Sequence, residues 1–246
     1  MRRLRDASEA LPSELGRADG LAFALWLPSE APARGAVVIL HGAGSAKESH
    51  YDFARVLVAA RIAAIAFDQR GHGESDGPMD GRALHDIAAM AALVRSRIGH
   101  PDAPLALRGS SMGGYLSLVA AEQAGADAVV AICPASGEGL RRGLAAGTLP
   151  FDFDAAALEA VWAEHDAGTA AAALEIPVLL LHAEGDEVVP VQHSRELAGR
   201  LRHPASRLIA VPGGHHRSIQ HDAELQAVSL KFIARALQAA GARAGG

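Results

Sequence analysis

The stretch ALRGSSMGGYL, residues 106–116, decides how the rest of the chain is read. With PLALR at 104–108 its left half has the unbroken apolar character of a strand buried on both faces, and its right half opens a helical pattern over 111–123. Between them Gly109-Ser110-Ser111-Met112-Gly113 forms a G-x-S-x-G frame at a strand-to-helix turn. A serine at so sharp a turn has a strained backbone, and side chains two residues to either side collide with it. Glycine at both places removes the clash and leaves the Ser111 hydroxyl exposed above the sheet. The following helix points its positive end at the same spot, which favours developing negative charge. A plain helix N-cap is the alternative use of a serine there.

The same strand-and-helix alternation extends in both directions. Apolar runs of strand length occur at 21–27 (LAFALWL), 36–41 (AVVILH), 62–68 (IAAIAFD), 127–133 (DAVVAIC), 177–182 (PVLLLH) and 205–211 (ASRLIAV). Helical patterns lie near 50–60, 81–98, 192–201 and 221–239, the last with Leu225, Val228, Phe232, Ile233 and Leu237 as an apolar stripe. Such alternation predicts an α/β fold, a mostly parallel central sheet with helices on both faces. One interval breaks the rhythm: residues 134–176 are far longer than a simple crossover needs and contain LEAVWAEH (158–165) and an alanine run at 170–173. A small helical lid inserted at the sheet's carboxyl edge is expected there, in a chain read as a single domain over 1–246. The first 20 residues match no element.

A serine hydroxyl is a weak nucleophile at neutral pH and needs a histidine base oriented by a carboxylate. Strand 177–182 runs into AEGDEVVP, which places Asp186 just past its end, and strand 205–211 runs into PGGHHRS, which places His215 and His216 just past the next. The order Ser, Asp, His puts three candidate groups at three sheet edges. Taken singly each has a plainer reading, Asp186 as a turn residue and the histidines as solvated loop groups.

With these motifs in view the chain resembles the α/β-hydrolases of serine esterase type over nearly its whole length from about residue 20. The resemblance rests on the Ser111 turn, on His41-Gly42-Ala43-Gly44 after one strand, on DQRGHGESDG (68–77) after the next, and on GDEVVP (185–190) around the acid. It implies Ser111, Asp186 and His216 as the catalytic residues, because the base comes last in the family's Gly-Gly-x-His loop and His215 then stands for the residue before it. It implies the backbone N–H groups of Ala43 and Met112 as the oxyanion hole, and Arg70 and Glu74 as residues that hold the loop after Asp68. The activity it implies is hydrolysis of small or medium carboxylic esters through an acyl-enzyme, with no cofactor and no metal. A thioesterase or amidase with the same triad, or a non-catalytic ligand-binding member of the fold, are the alternatives.

Composition sets the remaining bounds. Half of the 246 residues are hydrophobic, but 54 are alanine and only 4% are aromatic, so Phe151, Phe153 and Trp162 in the insertion stand out either as pocket walls or as lid packing. The one cysteine, Cys133, excludes an intramolecular disulfide framework and a cysteine-based zinc site. A net charge of −5 gives no reason to expect nucleic acid or an anionic membrane as partner. The opening MRRLRDASEALPSELG lacks the apolar run of a signal peptide, and no stretch is long enough for a membrane span, so a cytoplasmic protein with a small-molecule ester as partner is expected. Gly42-Ala43-Gly44-Ser45-Ala46-Lys47 fits no phosphate-loop frame, because Lys47 occupies the place of the third glycine. His221 and Asp222 read as a cap or surface pair at the start of the last helix.

Overall fold

Five parallel β-strand partnerships organise the computed structural model, which describes residues 10–244. Eight strands form among the described residues: β1 (Glu14–Ala18), β2 (Leu21–Trp26), β3 (Ala36–Leu40), β4 (Ala63–Phe67), β5 (Leu105–Ser110), β6 (Ala128–Ile132), β7 (Val178–Ala183) and β8 (Arg207–Val211). They lie side by side in the order β1-β2-β4-β3-β5-β6-β7-β8. Strand β2 runs antiparallel to both its neighbours, β1 and β4, and every pairing from β4 to β8 is parallel. The order reverses between β4, β3 and β5, and the crevice beyond the carboxyl ends of strands at such a reversal is where α/β sheets hold ligands.

Alternate strand residues feed two cores, one on each face of the sheet. Val38, Leu40, Ile65, Leu105 and Leu107 pack on one side with α2 (Ala83–Arg97) and α3 (Met112–Val119). Val37, Ile39, Ala64, Ala106 and Val130 pack on the other with α1 (Tyr51–Ala59) and α8 (Ala223–Ala244) through Phe53, Leu57, Phe232 and Ile233. Burial on both faces explains why these strands read as continuous apolar runs.

All seven strands expected from the sequence are present, with ends shifted by one or two residues. The eighth, β1, lies in the first 20 residues, where the sequence pattern marks no element: it forms a hairpin with β2 through Asp19-Gly20, both at positive φ (52° and 79°). That Asp-Gly step is the hairpin signal that was available. The basic opening read for a signal peptide lies outside the described residues. Residues 134–176 hold three helices, α4 (Gly137–Ala145), α5 (Ala155–Glu164) and α6 (Ala167–Ala173), followed by α7 (Val191–Ala198) after β7. Side chains of Ser136, Asp154 and Asp166 cap α4, α5 and α6 by accepting backbone N–H bonds, which explains three starts in so alanine-rich a segment. No helix among the described residues is long and apolar enough to cross a membrane.

Candidate active site

The turn at Ser111 has the geometry that its sequence demands. Ser111 has φ 54° and ψ −118°, a conformation costly for a residue with a side chain, and it sits immediately before α3. The strain is held by three backbone bonds: Ser111 N–H to the Ile132 carbonyl (2.9 Å), and the Tyr115 and Ala135 N–H groups to the Ser111 carbonyl (3.0 Å each). A methyl group on Gly113 would meet the backbone carbonyls of Leu40 and His41, the latter at 2.6 Å. One on Gly109 would strike the Gly113 carbonyl and lie 2.6 Å from Ser117 Oγ. These two glycines let α3 dock on β3 and β5 tightly enough to lift Ser111 out of the strand.

Asp186 and His216 come together at the carboxyl edge, 30 residues apart in sequence. His216 Nδ1–H donates to Asp186 Oδ2 at 2.7 Å, with the carboxylate fully buried and the imidazole 13% exposed. The other carboxylate oxygen accepts the N–H groups of Val188 (2.9 Å) and Val189 (2.8 Å). Burial by itself pushes this carboxyl up, but the Val189 amide, His216 and the Val188 amide outweigh it and hold Asp186 below the ordinary carboxylate range. Asp186 is therefore an anion aimed at one imidazole nitrogen, which leaves Nε2 of His216 free as an acceptor. His182 sits behind the pair, fully buried, 3.3 Å from Asp186 Oδ2 and donating to the Val189 carbonyl at 2.9 Å.

His215 is placed differently. It is exposed, its N–H donates to Ser218 Oγ at 3.0 Å, and its ring nitrogen receives the Arg217 N–H at 3.3 Å. Its ring makes no bond to Asp186, so of the two histidines only His216 meets the carboxylate.

Ser111 and His216 line one cavity of about 100 Å³, together with Gly42, Ala43, Gly44 and Ser45 of one loop, Ser110, Arg217 and Gln220. No hydrogen bond joins Ser111 to His216 among the described residues; the two meet as walls of the same cavity. Neither the Ala43 nor the Met112 backbone N–H has a partner among the described residues. Met112 itself is buried and Ala43 borders the cavity.

The loop that carries Ala43 is held by residues outside the expected set. Gly44 N–H donates to His72 Nε2 at 3.1 Å, and His72 Nδ1 lies 3.0 Å from the Arg70 carbonyl, so its ring is neutral with the proton on Nδ1. His41 is also neutral, since its Nε2 accepts the Gln69 N–H at 3.0 Å. Burial first of all, and then the neighbouring His72, pushes His41 down to about 4. Lys47 is buried, and its ammonium lies 2.8 Å from Asp68, 2.7 Å from Glu74 and 2.9 Å from Glu48. Lysine at that position thus anchors the loop to the Asp68 strand end rather than cradling a phosphate. Arg70 pairs with Asp86 at 2.8 Å, and Glu74 closes on Lys47, so both hold the 68–77 turn as the sequence implied.

The aromatics of the insertion pack the body. Phe151 stacks on His72 with centroids 4.3 Å apart, Phe153 pairs with Met79 as a short β-bridge, and Trp162 is buried. None of them lines the Ser111 cavity. Asp222 caps α8 by accepting the Glu224 and Leu225 N–H groups, while His221 pairs with Asp52 at 2.9 Å on the surface.

Cys133, Asp186 and His216 offer three ligand-type atoms within 4.8 Å of one another. A cation does not fit this trio, because the His216 Nδ1–H bond to Asp186 Oδ2 already occupies both the imidazole nitrogen and the carboxylate oxygen; burial pushes the neighbouring Cys133 thiol up to about 12. Cys133 follows the end of β6 at a positive φ of 42°, buried and in contact with Asp186.

The chain matches the family described as serine aminopeptidase, S33, over residues 31–150 and 154–224. The chain belongs to this family. It is an α/β-hydrolase and an enzyme of the serine hydrolase type. Among related chains, the uncharacterized protein YfhR of Escherichia coli O157:H7 is 31% identical over 215 residues, covering 80% of this chain and 70% of its own. A monoacylglycerol lipase of Mycolicibacterium smegmatis is 27% identical over 243 residues, covering 80% of this chain and 85% of its own. Among solved structures, a soluble variant of monoglyceride lipase from Saccharomyces cerevisiae superposes with a TM-score of 0.71 at 16% identity, over 95% of this chain and 97% of that one. At that identity the likeness is one of fold.

Proposed function

We propose that this serine hydrolase is a carboxylesterase that cleaves small or medium esters through an acyl-enzyme on Ser111. The observation that carries the reading is the 2.7 Å bond between His216 and a buried, anionic Asp186, made at the rim of the cavity that Ser111 lines. Ser111 Oγ attacks the ester carbonyl while His216 Nε2 takes its proton, and Asp186 holds the imidazole in the tautomer that makes Nε2 an acceptor. The carbonyl oxygen becomes an oxyanion, received by the N–H groups of Ala43 and Met112; losing one such donor typically costs about 3 kcal/mol of transition-state stabilisation. The C–O bond to the leaving alcohol then breaks and His216 returns the proton to it. Water, deprotonated by the same Nε2, attacks the acyl carbonyl, and the collapse releases the acid and regenerates Ser111.

An ester suits the cavity better than the amino end of a peptide. An aminopeptidase must neutralise an ammonium group beside the scissile bond, and no carboxylate side chain lines the cavity; its one charged lining group is Arg217. The relatives described as monoacylglycerol lipases also act on esters. A volume of about 100 Å³ that no residue of the insertion borders favours a short acyl group. Residues 134–176 are the lid in this reading, tied to the oxyanion loop through the Phe151–His72 stack. A buried free thiol suits a reducing compartment, taken here as the cytoplasm.

The test is labelling by a fluorophosphonate probe, followed by hydrolysis of p-nitrophenyl acetate, butyrate and decanoate and of a matched thioester and anilide. Labelling of wild type but not of Ser111→Ala, with acetate and butyrate preferred, is expected. A folded wild type that resists the probe overturns the hydrolase mechanism; a preference for the thioester or anilide overturns the ester assignment.

A further inference from the structure

At the edge of the sheet opposite the Ser111 cavity, a groove of about 370 Å³ lies between α8 and the starts of β6, β7 and β8. Asp127 and Pro177 stand just before β6 and β7, and Arg207 opens β8, so the groove faces the amino-terminal ends of the parallel strands. Its volume falls in the range of about 300–1,000 Å³ usual for small-molecule sites. The floor is apolar: Val228, Phe232 and Ala236 come from α8, and Phe232 is only 6% exposed.

The rim is cationic beyond what folding asks for. Lys231, Arg235, Ala239 and Arg243 follow one another at intervals of four, so three positive charges share one ridge of α8. Like charges at that spacing repel on a helix, and no acid interleaves them. Arg207 faces the ridge from β8, its guanidinium 5.5 Å from the Phe232 ring centre. The lining contains one carboxylate, Asp127, at 4.0 Å from Arg243. Among the described residues Lys231, Arg235 and Arg207 have no ion-pair partner, in a chain whose net charge is −5. A concentration of unpaired cations around an apolar recess, against the sign of the whole molecule, is the arrangement that recognises an anionic head on a hydrocarbon body.

We propose that this groove binds a small amphipathic carboxylate of the medium-chain fatty acid kind, the head held by Lys231, Arg235 and Arg207 and the chain laid on Phe232. A bilayer surface fits less well, because the apolar side chains lie at the bottom of a recess and no aromatic protrudes from its rim. Nucleic acid fits less well too, since its phosphates need no apolar floor. The proposal is independent of the chemistry at Ser111, which opens on the other edge of the sheet.

The experiment is calorimetric titration of the full chain carrying Ser111→Ala with sodium octanoate at pH 7.5, run beside octan-1-ol and inorganic phosphate. Saturable octanoate binding is expected, weakened at least tenfold in Lys231→Gln/Arg235→Gln and at least tenfold tighter than either octan-1-ol or phosphate. Both substitutions are on an exposed helix surface, and an unchanged unfolding temperature shows that the variant is folded. Octanoate binding that the double variant leaves within twofold, or no saturable binding, overturns the proposal. So does binding to phosphatidylglycerol vesicles that the variant abolishes while octanoate fails to bind, which reassigns the cations to a membrane surface.

Discussion

Replacing Asp186 by asparagine separates the catalytic part proposed for the carboxylate from its part in folding. The side-chain oxygen that accepts the Val188 and Val189 N–H groups, at 2.9 and 2.8 Å, is retained as the amide oxygen, so the loop after β7 keeps its anchors. The other oxygen, 2.7 Å from His216 Nδ1, becomes an NH2 group. Two donors cannot face each other there, so the imidazole moves its proton to Nε2, and the nitrogen proposed to serve Ser111 is no longer a base. Loss of this tautomer control costs on the order of 10⁴ in kcat, equivalent to about 5 kcal/mol of barrier. The exchange of one charge-assisted bond for a neutral one costs folding only about 1 kcal/mol, or roughly 2–4 °C in Tm for a chain of this size. Asp186→Ala removes the anchors as well, leaving two backbone donors unsatisfied at about 1–3 kcal/mol each, and its Tm falls much further. Steady-state hydrolysis of p-nitrophenyl butyrate and a thermal melt of both variants measure these effects. An asparagine variant that keeps more than a tenth of wild-type kcat would falsify the assignment of Asp186 as the orienting acid.

Three further outcomes are expected. His72→Phe keeps the stack on Phe151 but strips Gly44 N–H of its acceptor, a loss of about 1–3 kcal/mol that loosens the loop bearing Ala43, so kcat drops about tenfold or more while KM moves little; His72→Gln, which restores an acceptor, recovers most of it, and equal activity in the two variants refutes the role. His41 stays neutral in the folded protein down to about pH 4, whereas an unfolded histidine takes its proton near 6.5, so the unfolded chain binds more protons in that window. The stability it contributes is present above about pH 6.5 and lost as the pH falls to 4, by about 3 kcal/mol. Urea unfolding at pH 7.5 and pH 4 measures the loss, and a His41→Gln variant that loses as much as wild type between the two contradicts it. Gly113→Ala forces a methyl group against the Leu40 and His41 carbonyls and destabilises by about 1–3 kcal/mol or more; a urea midpoint equal to wild type shows that α3 does not need that close approach.

Seven of the eight strands were legible because burial on both faces writes itself as unbroken aliphatic runs, a pattern that depends on composition within a few residues. Strand β1 was not, because ELGRA alternates exposed and half-buried positions on a sheet edge and carries little apolar signal. The Asp19-Gly20 turn that follows it marks the hairpin. At the site, Ser111 was legible for the same local reason: glycines two residues to either side of a serine answer to a steric conflict inside a single turn. The expectation that Phe151, Phe153 or Trp162 shape the pocket stood level with lid packing, and packing is what their contacts with His72, Met79 and the core decide.

What the sequence determined by itself was therefore the order of elements, the parallel sheet and the turn that exposes Ser111, since each follows from contacts within a few residues. The choice between His215 and His216 needed a partner 30 residues away, because adjacent loop side chains point apart and only the position of Asp186 says which one is met. The same holds for Lys47, whose burial is set by Asp68 and Glu74 from another strand end, and for His72, which holds the loop bearing Ala43 only because Gly44 is brought against it. The cationic groove likewise exists only because α8 lies across the starts of three strands. Hydrogen bonds and ion pairs between distant segments are decided by distances of a few tenths of an ångström, and only the packed chain sets those.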